Sequence, residues 1–184
     1  MTEKVARAAP CPVLTIRQTQ PTPGAKGPRR ILVPTDFSLC SDAALDCAKL
    51  MAAEMRGSIC LLHVIDQPAT GTPFEPGLWA PDVLEARQGQ MAKARVELGS
   101  RMLADSRSRV STTGDIACGP SAATISTYAT NHAVDMIVMG AHGRSGMADL
   151  WMGSVATSII RTARCPVLTV KSRDVAQALV SRAS

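Results

Sequence analysis

The chain has 184 residues, which suits one domain with short tails, and 46% of them are hydrophobic, which excludes wholesale disorder. A net charge of +5 is modest and scattered; it suits an anionic ligand such as a phosphate and argues against nucleic acid as a partner. No run approaches the ~18 apolar residues of a membrane span, and Arg7, Pro10 and Pro12 interrupt the apolar stretch near the N-terminus, so no secretory leader is expected.

Residues 18–30 are rich in proline and glycine and read as a linker. Ile31–Val33 is a short apolar run ended by Pro34-Thr35-Asp36, the pattern of a buried strand leaving a sheet. Ser38 or Ser41 can cap the next segment, where Leu45, Ala48, Ala52 and Met55 recur at helical spacing until Gly57 stops the helix. Ile59–Ile65 is a second buried strand. Residues 66–81 form a long loop rich in proline and glycine, holding Phe74 and Trp79, and loops of that length are uncommon unless they cover or bind something. Leu84, Met91, Leu98 and Met102 mark an amphipathic helix, and Val110–Cys118 a weaker strand containing Gly114. Pro120 opens a third helix through Ile125 and Ala129. Asp135–Gly140 is a fourth strand, Val155, Ile159 and Thr162 lie on a fourth helix, and Pro166–Lys171 is a fifth strand.

Strand and helix alternate, and the strands are continuously apolar, which implies a parallel sheet covered on both faces. Such sheets bind ligands beyond the carboxyl ends of their strands, where strand order reverses. The six cysteines fall at no metal-ligand spacing and mostly inside apolar segments, the usage of reduced thiols in a cytoplasmic protein.

One segment occurs twice. Residues 5–17 (VARAAPCPVLTIR) align without gaps on residues 159–171 (IIRTARCPVLTVK), an offset of 154, with Cys-Pro-Val-Leu-Thr identical in both. The N-terminus therefore reads as a second copy of the last helix end and edge strand, against the simpler reading of a disordered extension with a coincidental match.

The segment from Gly140 to Ser154 begins where the fourth strand ends and closes where a helix begins. Its form is G-x2-G-x9-G-[S/T], with glycines at 140, 143 and 153 and a hydroxyl at Ser154. Glycines let backbone N–H groups approach a ligand, and the following helix aims its dipole at the same spot, a ready site for phosphate. Ser154 can cap that helix or donate to a phosphoryl oxygen, and Arg144 can add charge-assisted bonds.

Taken with Ile-Leu-Val-Pro-Thr-Asp-Phe-Ser (31–38), Leu-Leu-His-Val-Ile-Asp (61–66), the run from Asp135 to Gly146, Gly-Ser-Val-Ala (153–156) and Cys-Pro-Val-Leu-Thr-Val (165–170), the chain resembles the universal stress protein family over residues 31–171. The resemblance implies the family's ATP-binding branch, which carries the glycine pattern. The fold it implies is α/β, a three-layer sandwich of adenine nucleotide alpha hydrolase-like, Rossmann-like type. Its sheet would be five-stranded and parallel, in order 3-2-1-4-5. Residues 30–171 would form that domain, with 1–29 an extension and 172–184 a tail. By the same resemblance Pro34, Thr35 and Asp36 would line the adenosine pocket, with Asp36 near adenine or ribose, and Val64 would offer backbone groups to the adenine edge. Gly140, His142, Gly143, Arg144, Gly153, Ser154 and Val155 would surround the phosphates, with Mg²⁺ accompanying them. His63 and His132 read as packed structural residues. A homodimer through edge strands is implied, although the N-terminal copy could occupy that edge instead.

No Gly-Lys dipeptide exists, which excludes a Walker A loop, and neither H-E-x-x-H nor G-x-S-x-G occurs. No general base is paired with a nucleophile, so the expected activity is nucleotide-dependent stress response or signalling with at most weak ATPase turnover. The competing readings are a slow ATPase and a nucleotide-free interaction module.

Overall fold

The computed structural model describes residues 5, 9, 11–16, 29–66, 80–103, 110–143 and 152–171. Six strands, β1 (Val13–Thr15), β2 (Arg30–Thr35), β3 (Ser58–Asp66), β4 (Ser111–Gly119), β5 (Met136–Gly140) and β6 (Val167–Val170), form one sheet in the order β1-β6-β5-β2-β3-β4. Neighbours from β6 to β4 run parallel, and β1 pairs antiparallel on the outside of β6. The expected five-stranded parallel sheet is thus a six-stranded mixed one, because the N-terminal copy adds an edge strand.

Four helices cover the sheet: α1 (Leu39–Met55), α2 (Ala80–Leu103), α3 (Ser121–Asn131) and α4 (Ser154–Thr162). Alternate strand residues point to opposite faces, and the core divides accordingly. Leu32, Leu62, Ile137 and Val167 meet Ile125 of α3 and Ile159 of α4 on one face. Ile31, Ile59, Leu61 and Val138 meet the alanines of α1 and Leu98 of α2 on the other. Small residues on α1 let it lie close to the sheet.

The central strands need no polar partner beyond the ladder, and Asp135 anchors where they start. Its Oδ2 accepts from the N–H groups of Arg29 and Arg30 at 2.9 and 2.8 Å. β2 does not stop at Val33 as its sequence suggests but continues through Pro34 to Thr35, paired with Leu62 and His63 of β3. The proline is tolerated because β5 has already parted from β2 there, so the missing N–H costs no ladder bond on that side.

Helix α1 ends differently from its sequence signal. The left-handed residue is Arg56, at φ 53°, and not Gly57, whose N–H donates to Ala52 O at 2.8 Å. A side chain in that conformation is strained. Residues 18–28 of the linker and 67–79 of the long loop, with Phe74 and Trp79, lie outside the described residues. All six cysteines are free, and burial pushes the Cys165 thiol up, keeping it protonated. Among the described residues no helix is long and apolar enough to cross a membrane. Replacing Arg56→Gly is expected to raise the urea midpoint, a gain of about 0.5–1 kcal/mol from relieved backbone strain; an unchanged or lower midpoint would refute the strain assignment.

Candidate functional site

β2 and β5 pair only where Ile31 and Leu32 meet Met136 and Ile137. Beyond those rows the ladder between the two strands ends, and this is also where strand order reverses: the chain runs from β2 outward to β4 on one side and from β5 to β6 on the other. A cavity of about 220 Å³ opens at the parting, between the carboxyl ends of the strands and the first turns of α3 and α4.

One wall comes from β2 and β3. Pro34, Thr35, Asp36 and Val64 all line the cavity. The Thr35 hydroxyl is engaged within the fold, bonded to Ser41 Oγ at 3.1 Å and accepting from Phe37 N at 3.0 Å. Its carbonyl accepts from His63 Nδ1 at 2.8 Å, and the His63 ring stacks on Phe37 with centroids 4.3 Å apart. His63 is therefore a packed residue that orients the turn after β2. His132 is also structural, stacked on Tyr128 and bonded to its carbonyl at 3.0 Å. The β3 edge facing β2 has no strand partner from Val64 onward among the described residues, because β2 ends at Thr35 opposite His63. That leaves main-chain groups of Val64 beside the cavity.

Phe37 adopts φ 65°, a costly conformation for a bulky side chain that must be held by its surroundings. Three groups hold it: Thr35 Oγ1 on its N–H, the His63 ring, and Arg101 of α2. The Arg101 guanidinium lies 4.8 Å from the Phe37 ring centroid and donates to its carbonyl at 3.2 Å. It also donates to Asp42 and Glu97, each at 2.6 Å, and its pKa is raised, mainly by the Asp42 hydrogen bond. No sequence pattern links Arg101 to the site, since it lies 64 residues from Phe37.

The opposite wall is the stretch after β5. Gly140, His142, Gly143, Gly153, Ser154 and Val155 line the cavity with Ala141. Ala141 donates to Val170 O at 2.8 Å and accepts from Gly153 N at 2.9 Å, so the segment leaves and returns through one pinned neck. Residues 144–151, including Arg144, lie outside the described residues.

The three glycines differ in what they make room for. A Cβ at Gly140 would stand 3.0 Å from the Cys40 backbone, so that glycine admits helix α1. A Cβ at Gly143 would stand 2.9 Å from Asp36 Oδ2, so that glycine lets the loop meet the carboxylate of β2. A Cβ at Gly153 would find nothing closer than Ala141 O at 3.6 Å. A methyl group at Gly153 would therefore rest in ordinary contact with the backbone of residues 141–143.

Helix N-termini concentrate unpaired N–H groups, and three of them point at this end of the sheet. α1 is capped by the Ser38 side chain, which accepts from Ser41 N, and Asp36 Oδ1 takes Ser38 N at 3.1 Å and Ser38 Oγ at 2.6 Å. At α3, Ser121 N donates to Asp66 Oδ1 at 3.1 Å. The cap of α4 is Gly153, not Ser154, and its first turn, like that of α3, carries no acidic residue. Ser154 is the first helical residue and is exposed. The α1 start is thus closed by its own side-chain cap and the α3 start meets one carboxylate, whereas among the described residues no side-chain acceptor meets the α4 start beside the cavity.

Ser41, Leu62, Ser121, Ile125 and Met139 also line the cavity and were not singled out from sequence. Only strand order brings α3 beside α4, and a serine following Pro120 at a helix start is the sole local hint. These packing differences separate two glycines experimentally. Gly140→Ala is expected to cost about 1–3 kcal/mol, because backbone must shift to admit the methyl group, whereas Gly153→Ala should cost less than about 1 kcal/mol. Urea unfolding measures both, and the reverse order would contradict the packing described.

The universal stress protein family model matches residues 27–171 of the chain. Universal stress protein MJ0531 of Methanocaldococcus jannaschii is 32% identical over 147 residues, covering 78% of this chain and 82% of that protein. Among solved structures, universal stress protein UspA from Lactobacillus plantarum is 27% identical, with a TM-score of 0.68 over 77% of this chain and 96% of its own. A universal stress protein in complex with cAMP shares the fold at 22% identity and a TM-score of 0.57, over 78% of this chain and 97% of that one. The open cavity at the strand reversal, the glycine neck and the match across residues 27–171 agree, and the chain belongs to the universal stress protein family.

Proposed function

We propose that the protein binds ATP in the cavity between β2 and β5 and acts as a nucleotide-dependent stress-response protein. The observation that carries this reading is the open N-terminus of α4. Among the described residues no side chain accepts from that start and its first turn carries no acidic residue, which favours an anion there. Of its neighbours, α1 is capped by Ser38 and α3 gives its Ser121 N–H to Asp66.

The other walls fit the rest of an adenine nucleotide. Leu62, Ile125 and Met139 supply an apolar floor for a base, and the partnerless edge of β3 at Val64 offers main-chain groups to it. Asp36 is an acceptor for ribose hydroxyls, though it cannot itself face a phosphate without a counter-charge. The phosphates would lie away from it, toward Gly153, Ser154 and Val155, where main-chain N–H groups and the Ser154 hydroxyl are donors. His142 and Arg144 would add donors from the loop, and a divalent cation such as Mg²⁺ would accompany the phosphates. A family fold that holds cAMP in another protein supports an adenine ligand class in general terms.

The arrangement argues for binding over turnover. Efficient phosphoryl transfer needs a positioned attacker and charge neutralisation on the leaving oxygens. Among the described residues the cavity wall carries one carboxylate, Asp36, and it is already hydrogen-bonded to Ser38.

Isothermal titration with ATP and Mg²⁺ should show saturable binding, and a flat titration at millimolar nucleotide would refute the reading in favour of a nucleotide-free module. Gly153→Val should weaken ATP by more than about tenfold, or 1.4 kcal/mol, with a cooperative melt retained, because its Cβ meets no atom closer than 3.6 Å while the branched side chain crowds the approach to the α4 amides. Full affinity in that variant would refute the placement of the phosphates. Phosphate release under single turnover should match buffer; a clear excess would favour the slow ATPase.

A further inference from the structure

The repeat seen in the sequence is also a repeat in structure. Ala9 N donates to Val5 O at 2.9 Å, and 154 residues later Ala163 N donates to Ile159 O at 2.8 Å. Both copies then continue into a strand, β1 and β6. The two strands pair with each other, Val13 against Thr169, Leu14 against Leu168 and Thr15 against Val167.

That register is symmetric in sequence. Leu168 is the counterpart of Leu14 in the repeat, and the Val13–Thr169 and Thr15–Val167 rows exchange under a two-fold axis passing between the two leucines. A strand that pairs antiparallel with a copy of itself about such an axis is self-complementary, because each half of the pair offers the other the same edge. A bare β6 edge would accept β6 of a second molecule in the register that β1 now occupies.

We propose that the N-terminal segment is an edge guard: β1 fills in cis a self-pairing edge whose alternative occupant is β6 of a second copy of this chain. Three attachments hold the guard. Val13 packs against the core beneath α3 and α4, Thr15 is buried, and Lys171 Nζ donates to Ala9 O at 2.7 Å. Its outward side stays apolar and exposed at Val5, Leu14 and Ile16.

Tethering decides the competition. Residues 16–29 link β1 to β2, and short tethers give effective concentrations of about millimolar. A second copy at micromolar concentration starts roughly a thousandfold behind, so the covalent guard holds the edge unless the intermolecular contact is correspondingly larger. A homodimer through β6 therefore requires displacement of β1.

Residue 168 on the symmetry axis provides a direct readout. If β6 pairs with β6 in this register, two copies of residue 168 stand opposite each other, within the Cα separation that a disulfide spans. Leu168→Cys in the otherwise unaltered full-length chain should give no 168–168 disulfide under mild oxidation, read by mass spectrometry of peptides. Adding Leu14→Pro and Thr15→Pro removes two successive N–H donors, so β1 loses a ladder bond in either phase. That variant should form the 168–168 disulfide and sediment at twice the mass. A 168–168 link in the chain with intact β1 would overturn the guard, and its absence from a cooperatively melting proline variant would overturn the self-pairing edge. The double substitution Leu14→Cys with Leu168→Cys checks the cis arrangement independently of the proline variant's folding. The 14–168 link is expected within single chains, and a link joining two chains would refute it.

Discussion

The parting of β2 and β5 after two paired rows is the constraint on which the rest of the molecule depends. Adjacent parallel strands whose chains continue in opposite directions across the sheet cannot have their following helices on the same face at the same place, so a crevice opens between them. Several otherwise unrelated residues become intelligible from that gap. Pro34 can sit inside a strand because its β5-facing side no longer needs a donor. Gly140 must be glycine because α1, returning from β2, brings Cys40 against the end of β5. Gly143 must be glycine because the chain leaving β5 turns back toward Asp36 across the same gap.

Polarity at the crevice follows from how the helix starts are satisfied. Backbone N–H groups left without acceptors are costly when buried, and the chain supplies acceptors at two of the three starts. Ser38 and Asp36 close α1, and Asp66 closes α3. At α4 the cap is a glycine, which brings no side-chain acceptor of its own. The resulting asymmetry, acceptors on the β2 side and donors on the α4 side, matches a ligand with hydroxyls at one end and anionic oxygens at the other.

Much of this was readable from sequence, and what was not has a physical reason. Continuous apolar runs such as Ile59–Ile65 and Asp135–Gly140 announced buried strands because both faces of the sheet are covered. The spacing of Gly140, Gly143 and Gly153 announced the neck because few other residues let main chain approach main chain. The reasons behind individual glycines were not legible: Gly140 answers to Cys40, a contact across the fold. The cap at Gly153 was missed because a serine follows it, and serine is the commoner cap. Arg56 in place of Gly57 was missed for the same reason, the local preference having yielded to where the helix meets β3. Arg101 left no signal, since its partners Phe37 and Asp42 come from another element.

Arg101 also shows how the site can be held by parts of the chain remote from it. The left-handed turn at Phe37 sets where Asp36 points, and that turn is gripped between His63 of β3 and Arg101 of α2. A positive φ at a bulky residue costs free energy on its own, so the grip and the strain are one balance: loosening α2 frees the turn, and freeing the turn releases Asp36 from its place against Gly143. Helix α2 follows directly on residues 67–79, the long connection at the carboxyl end of β3. A shift of α2 would act on the β2 wall of the cavity through Arg101, which joins that helix to the turn beside Asp36.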